Sequence, residues 1–551
     1  MPLTPADWRE VARHVLTSRA IDQLEETELV PAGKVTYQFS ARGHELAQVL
    51  LGLSLDHPHD AAAPYYRSRP LLLASGLTIK EALAGSMAKA GSLTGGRDIG
   101  VVHMLERRGR ALVLPAAGDV GSQYTPAVGW AQAITYRQRV LREDDWRGAI
   151  VAALGGDGST AANGFWAALN IVTTLRLPYL FFIEDNAYGI SVPSSLQTPG
   201  GNLAKNLASF SHLRVLDGDG ADPIDAAEKI DQAVSHVRGH NGPALLRLSV
   251  PRLNGHSFVD NQSYKSKALR DAEAARDPLP RLKAHVIAIA ILTDDEWAQL
   301  EQQIDDEVRA ACEEALAQPE PDPTTATKHV FFEGAAPLIR QPRPTEPGVR
   351  LNLIDAVKRT LEVELQLNPR LLIFGEDVGV KGGVHGATTD LQLKYGADRV
   401  FDTSLNEDGI IGRSAGLALA GLMPVPEIQF RKYADPATEQ INNIGTLRWR
   451  TLGKFAAPMV VRVPVGMGRK TGDPWHSVSG EAVHAKSLGW RIAIPSNAED
   501  AVGLLRAALR GHDPTFFYEH RALLDTAPAR RPYPGDDYVL PFGVAHIVQS
   551  G

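Results

Sequence analysis

The stretch RGAIVAALGGDGSTAANGFWAALNIVTTLRLPYLFFIEDNAYG, residues 147–189, constrains the fold of this chain more than any other. It holds two short, unbroken apolar runs, IVAAL and YLFFI. Between them, NGFWAALNIVTTL repeats its apolar residues at helical spacing. An unbroken apolar run with no alternation suits a strand buried on both faces, and strand–helix–strand is the repeating unit of a parallel sheet. Ligands of such sheets collect beyond the carboxyl ends of the strands. Asp157 stands at one such end and Asn186 at the next.

A chain of 551 residues is too long for one core, so two to four domains are expected. Residues 1–319 alternate helices with short apolar strands. They open on the helical ADWREVARHVLTSRAIDQLEETELV and close on the charged helix DDEWAQLEQQIDDEVRAACEEALAQ. Residues 320–350 are rich in proline and have no sustained period, which predicts a linker. A second α/β pattern fills 351–538, from LNLIDAVKRTLEVELQLNPRLLIFGEDV to PTFFYEH. No direct repeat links the halves, so a shared fold is an inference. Residues 539–551, VLPFGVAHIVQSG, read as a strand beginning a further C-terminal domain. The expected fold class is therefore α/β, with two parallel-sheet domains and the start of a third domain.

The lone Cys312 excludes a disulfide framework or thiolate cluster within one chain. A formal charge of -7 carries no nucleic-acid signature. The longest clean apolar run, HVIAIAIL at 285–292, is far too short for a membrane span, and the N-terminus has no apolar signal core. A cytoplasmic enzyme is the expectation.

Asp157, Asn186 and a carbonyl from Tyr188 would make a hard-oxygen set suited to Mg²⁺. Gly156 and Gly158 would let the backbone turn tightly and approach a diphosphate. GGDGST lacks the G-x-G-x-x-G spacing of dinucleotide sites. A plain βα turn followed by a strand-end turn is the competing structural reading.

GDGSTAANG…LPYLFFIEDNAYGIS resembles the thiamine diphosphate motif. More narrowly, the chain resembles the E1 family of 2-oxo acid dehydrogenases. FSARGHELAQVLLG (39–52), PYYRSRPLLLASG (64–76) and RLNGHSFVDNQSYKS (252–266) resemble its α subunit. EDVGVKGGV, TSLNEDGIIG, PEIQFRKY and WHSVSGEA resemble its β subunit, so the chain looks like an α and a β subunit fused head to tail. The resemblance implies a transketolase-like fold with thiamine diphosphate and Mg²⁺ as cofactors, the metal on Asp157, Asn186 and the Tyr188 carbonyl. Tyr66 and Arg67 would hold the cofactor's diphosphate, Arg252 would bind the cofactor from the ordering loop it shares with Asp260 and Tyr264, and Val120 would support the cofactor's bent conformation. Phe430 and Tyr433 would wall the pyrimidine. Glu407 would face the pyrimidine N1′, and His256, His476 and His103 would be active-site histidines.

Asp260 and Tyr264 match an ordering loop, and Ser257 matches a serine phosphorylated in some relatives. Several positions depart from the family pattern. Lys265 replaces a usual arginine, which should loosen the loop's ion pairs. Gly118 stands where serine is frequent, Ala162 near a common glutamate, and Asn163 near a glycine. Glu184 stands where some relatives have arginine, and Tyr65 where glutamine often precedes the Tyr–Arg pair.

The activity implied is oxidative decarboxylation of a 2-oxo acid, with acyl transfer to the lipoyl group of an E2 acyltransferase. A branched-chain acid is favoured, with pyruvate as the alternative. A transketolase-like two-carbon transfer or a non-catalytic scaffold are the other readings. In relatives the β-like half that completes a site belongs to a neighbouring pair, which implies a homodimer with shared active sites.

Overall fold

The computed structural model describes residues 4–35, 37–334, 349–468, 472–545 and 549. The chain divides into two compact units, one mainly of residues up to Ala326 and the other mainly from Thr327 onwards. Part of the predicted linker (335–348) and part of the predicted C-terminal strand (546–548, 550 and 551) lie outside the described residues.

The first unit is built on a six-stranded parallel sheet. Its strands in chain order are β1 (Ala61–Ala63), β2 (Leu112–Val113), β3 (Val151–Gly156), β4 (Tyr179–Asp185), β5 (Arg214–Asp219) and β6 (Ala244–Ser249), arranged spatially β2-β1-β3-β4-β6-β5. The unbroken apolar run of β4 is explained by its two faces. Leu180 and Phe182 join the large cluster with Leu46, Leu50 and Ile230, while Tyr179 and Phe181 meet Tyr124 and Phe165 on the other side. Each large side chain buried this way contributes roughly 1.5–3 kcal/mol. The helix Pro5–Leu24 starts where predicted because Thr4 and Asp7 form a reciprocal capping box. The helix Asn163–Leu175 ends at Arg176, whose φ of 52° turns the chain back toward β4.

The second unit repeats this plan. Its strands are β7 (Leu371–Gly375), β8 (Val400–Asp402), β9 (Met423–Glu427), β10 (Val460–Val465), β11 (Arg491–Ala493) and β12 (Thr515–His520), ordered β8-β7-β9-β10-β12-β11 and again all parallel. Numbered from the start of each unit, the two orders are identical. The common fold that sequence comparison of the halves left as an inference is thus present in the topology.

β9 pairs with β7 along all five residues but with β10 only at Glu427–Arg462. Met423 donates its N–H toward the β7 side, so alternate residues Pro424 and Pro426 face β10, and proline has no N–H to offer. A buried Arg462 bridges the gap, donating to Glu427 at 2.7 Å and to Glu519 of β12 at 2.7 Å. Of the predicted C-terminal strand, residues 540–545 form no strand. Instead Leu540 N–H donates to the Gly503 carbonyl, against the helix Ala498–Leu509. Among the described residues no helix is long and apolar enough to cross a membrane.

Candidate active site

The candidate residues of the first unit, with one exception, follow the carboxyl ends of its strands. Tyr66 and Arg67 follow β1, Val120 follows β2, and Gly156, Asp157 and Gly158 close β3. Asn186 and Tyr188 follow β4, and Arg252 and His256 follow β6. Most of them line a cavity of about 600 Å³, Tyr66, Arg67, Val120 and His256 among them, while Asp157 and Arg252 do not. Gly156, Gly158, Asn186 and Tyr188 line it as well.

Asp157 is buried, and neither of its carboxylate oxygens makes a hydrogen bond of good geometry, although the backbone N–H groups of Asp157 and Asn186 are near enough to favour its charged form slightly. Burial, and next the charge of Asp185, push its pKa up to about 7. A buried carboxylate without well-placed donors is costly unless a cation joins it. Because β3 and β4 pair in parallel with Gly156 opposite Glu184, Asp157 and Asn186 emerge on neighbouring strands. Asn186 Oδ1 accepts from Tyr188 N–H at 3.1 Å. Among the described residues no three His, Cys, Asp or Glu side chains gather as a metal cluster. A metal here would rest on Asp157, amide and carbonyl oxygens, and oxygens of a ligand, which is the donor chemistry of Mg²⁺. The orphaned oxygens of Asp157 fit that requirement.

The glycines divide differently from expectation. Gly156 sits at φ −90°, ψ 172°, an extended conformation open to any residue, so no tight turn depends on it. A side chain on Gly158 would come within 2.9 Å of Gln197 Oε1 and 3.1 Å of Gly189 Cα, filling the cradle. Gly155, which the sequence reading passed over, has the least room: a Cβ there would lie 2.1 Å from Tyr124 Oη.

Arg67 is fully buried, and its guanidinium donates to the backbone carbonyls of Ser40 and, at 3.1 Å, His256. Tyr66 and Phe39 lie 5.4 and 5.8 Å from it as aromatic faces. Carbonyls and rings fix the group without neutralising it, which leaves its charge for an anion at the cavity wall. Burial, then Arg67 and Arg252, lower the His256 pKa to about 4, so this ring is neutral at pH 7.

His103 is the exception. It is buried behind Tyr66, 3.2 Å from that residue's carbonyl oxygen, and belongs to a separate cavity of about 40 Å³. Burial, then Arg69, bring its pKa to about 4. Arg252 does not line the large cavity either. It donates to the Ile190 carbonyl at 2.9 Å and to the Tyr264 hydroxyl, which in turn donates to Asp260 at 2.7 Å. Asp260 also accepts from the His256 N–H at 2.6 Å. Lys265, expected to loosen this loop, is buried with its ammonium 2.8 Å from both carboxylate oxygens of Glu273. The loop is tied down by a lysine pair in place of an arginine pair.

The second unit places its candidates by the same rule. Glu407 follows β8 in the first turn of the helix Glu407–Leu419, where Asn406 caps by accepting from Gly409 N–H at 2.6 Å. Phe430 and Tyr433 follow β9, and His476 follows β10. Tyr433 Oη lies 3.0 Å from His476 Nε2, while His476 Nδ1 lies 2.9 Å from Asp473. The carboxylate fixes the Nδ1–H tautomer, so Nε2 accepts from the tyrosine. Phe430 packs edge-on against His476 at 4.6 Å, and Arg521 donates to the His476 carbonyl at 2.6 Å. Asp473 and Arg521 were not read from the sequence.

Glu376 was quoted in the motif EDVGVKGGV without a role. It follows β7, is buried, and has one orphaned oxygen. Burial, then the charges of Glu407 and Asp377, push its pKa up to about 7. A carboxyl raised in the folded state lends stability below its unfolded pKa, and that stability is lost as pH rises through the folded value. Melting temperature should therefore fall between about pH 4.5 and 7 in part through this group. Glu376→Gln should flatten that slope and melt higher than the native chain at pH 8, by roughly 1–3 kcal/mol of stability. An unchanged slope in a pH series of thermal melts would remove the assignment.

Comparison with known proteins places these observations. Residues 12–324, more than half of the chain, match the family described as dehydrogenase E1 component, and residues 350–526 match the transketolase pyrimidine-binding domain. The chain is 40% identical over 202 residues to the 2-oxoisovalerate dehydrogenase subunit beta of Bacillus subtilis, covering 36% of this chain and 61% of that one. It is 36% identical over 204 residues to the pyruvate dehydrogenase E1 component subunit beta of Mycoplasma genitalium, covering 37% and 62%. A 2-oxoisovalerate dehydrogenase subunit beta of Pseudomonas aeruginosa is 38% identical over 216 residues, covering 36% and 61%. The chain thus spans about three fifths of the length of these relatives. With the E1 match covering the first unit and the pyrimidine-binding match covering most of the second, the chain belongs to the dehydrogenase E1 component family.

Proposed function

We propose that this protein is a thiamine diphosphate- and Mg²⁺-dependent E1 enzyme that decarboxylates a 2-oxo acid and passes the acyl group to the lipoyl arm of an E2 acyltransferase. The observation that carries this reading is the buried carboxylate of Asp157, with no hydrogen bond of good geometry to either oxygen, at the strand end next to Asn186. Asp157, Asn186 and the Tyr188 carbonyl would hold the metal, and Arg67 with Tyr66 would hold the diphosphate. When bound, thiamine diphosphate supplies the electron sink for loss of CO₂. Glu407 would hold a proton at the pyrimidine N1′ from the first turn of its helix. Neutral His256 would orient the substrate carboxylate beside Arg67. His476, held in one tautomer by Asp473, would present Nε2 to the acyl-transfer path. In a homodimer the Glu407 half-site of one copy would complete the Asp157 half-site of the other.

A branched-chain acid is the favoured substrate, because Phe39, Val101, Val102, Ile190 and Val192 give the cavity an apolar wall. Relatives named for 2-oxoisovalerate and for pyruvate are both matched, so the wall, not the names, supports this choice. The deciding assay measures CO₂ release from 3-methyl-2-oxobutanoate, 4-methyl-2-oxopentanoate and pyruvate with Mg²⁺, thiamine diphosphate and an artificial electron acceptor. Cofactor-dependent release is expected, faster with the branched acids by at least about tenfold, a difference of ~1.4 kcal/mol in transition-state binding. Pyruvate preference would overturn the substrate assignment, and silence with all three would overturn the activity.

A further inference from the structure

Two departures noted in the sequence, Tyr65 and Glu184, meet each other in the fold. Glu184 is the sixth residue of β4, two positions before Asn186, and its side chain is fully buried. One of its oxygens accepts from the Tyr65 hydroxyl at 3.0 Å and from Gln48 Nε2 at 2.9 Å. The other makes no hydrogen bond; it lies 3.3 Å from Nδ1 of the equally buried His44, whose hydrogen-bond partner on that side is the Tyr65 hydroxyl at 3.4 Å. On the far side of the ring, His44 Nε2 lies 3.3 Å from Asn186 Nδ2.

The amide orientation of Asn186 determines what this contact is. Its Oδ1 accepts from Tyr188 N–H, so Nδ2 is the atom that faces His44, and an amide NH₂ can only donate. The imidazole must then accept at Nε2 and carry its proton on Nδ1, the side of Glu184 and Tyr65. A carboxylate there favours that tautomer. The chain Asn186–His44–Tyr65–Glu184 has a consistent direction: Asn186 Nδ2 donates to His44 Nε2, His44 Nδ1–H faces the Tyr65 oxygen, and the tyrosine O–H donates to Glu184.

We propose that Glu184 and His44 are positioning residues that lock the amide of Asn186 with its oxygen available to the metal. The inference rests on the reading of Asn186 as a metal ligand. An amide that rotates by 180° would present its NH₂ to the cation, and the relay excludes that state. It would also explain why an acid at 184 accompanies a tyrosine at 65: the tyrosine hydroxyl satisfies a carboxylate oxygen that the β4 core leaves without solvent.

The test is metal binding, not turnover. Mn²⁺ is titrated into the full chain with saturating thiamine diphosphate, and free Mn²⁺ is counted by its electron paramagnetic resonance signal. Glu184→Gln and His44→Leu should each raise the half-saturating Mn²⁺ about 10–100-fold, the usual loss when an outer partner of a ligand is removed. His44→Gln keeps an acceptor oxygen toward Asn186 and should stay within about threefold of the native chain. In an Asn186→Ala background, Glu184→Gln should add no further loss, because residues acting through one group are not additive. Each variant is admitted only if its melting temperature shows a folded protein, and the His44 pair still decides the matter should Glu184→Gln fail to fold. Unchanged Mn²⁺ binding in Asn186→Ala would overturn the ligand reading itself. Weakened binding in Asn186→Ala, with either equal binding by His44→Leu and His44→Gln or additive losses in the double variant, would overturn the relay alone.

Discussion

Asp157→Asn should melt higher than the native chain without ligands and lower than it with them. Without metal at pH 8, above its pKa of about 7, the native carboxylate is a buried charge whose two oxygens make no hydrogen bond. An isosteric amide removes the charge and should return about 1–3 kcal/mol. With Mg²⁺ and thiamine diphosphate present at about 1,000 times their dissociation constant, binding adds about 4.1 kcal/mol to the native protein. The variant, having lost an ionised ligand, should gain almost none of it. The reversal of rank between apo and loaded melts is the signature, and chelation by EDTA should return the native protein to its apo value. CO₂ release should fall by at least about 10²-fold, with the loss in cofactor affinity visible by calorimetry. A variant that melts well below the native chain in both states would mean that Asp157 holds the protein together instead of a metal.

Glu407→Gln should show the opposite division. Its proposed place at the pyrimidine N1′, and not on the metal or the diphosphate, means that metal-dependent cofactor binding should stay within a few-fold of native. Decarboxylation should nevertheless drop by about 10²–10⁴-fold, the range for removing a positioned acid–base group. The same substitution deletes the charge that helps to raise the pKa of Glu376, so Glu376 should titrate closer to its ordinary value. Binding by calorimetry and CO₂ release on the same preparation distinguish the outcomes. If affinity and rate fell in equal proportion, Glu407 would be an anchor for the cofactor and not a proton-handling group.

How much of this was legible in the sequence depended on local pattern. β3 and β4 announced themselves because strands buried on both faces cannot alternate, and Asp157 and Asn186 were found because they sit one residue beyond those runs. β1, three alanines, and β2, two residues, have too little length to carry a period, so the strand that delivers Tyr66 and Arg67 was invisible even though the pair was found. β9 gave no strand signal of its own, since two prolines in five residues argue against a strand until the one-sided pairing is seen. The contacts of His44, Tyr65 and Glu184 join positions up to 140 residues apart, a juxtaposition created by the sheet order and by nothing local. Gly155 was overlooked for a different reason. Its neighbour lay within the motif, while the steric demand fell on the residue just outside it.

The one-residue pairing of β9 with β10 gives the second sheet a seam. Three strands, β8, β7 and β9, lie on one side, and β10, β12 and β11 lie on the other. Cross-strand amides normally rivet a parallel sheet every second residue, and here one buried arginine carries much of that duty through Glu427 on the opposite bank, while Glu519 holds it from its own. Glu376, Glu407 and Phe430 belong to one bank of the seam, while His476 and Arg521 belong to the other. A small parting of the banks would change the span between the carboxylates and the histidine without unfolding either bank. Such a parting would first have to break the contact of Tyr433 with His476, which ties the two banks together at their strand ends.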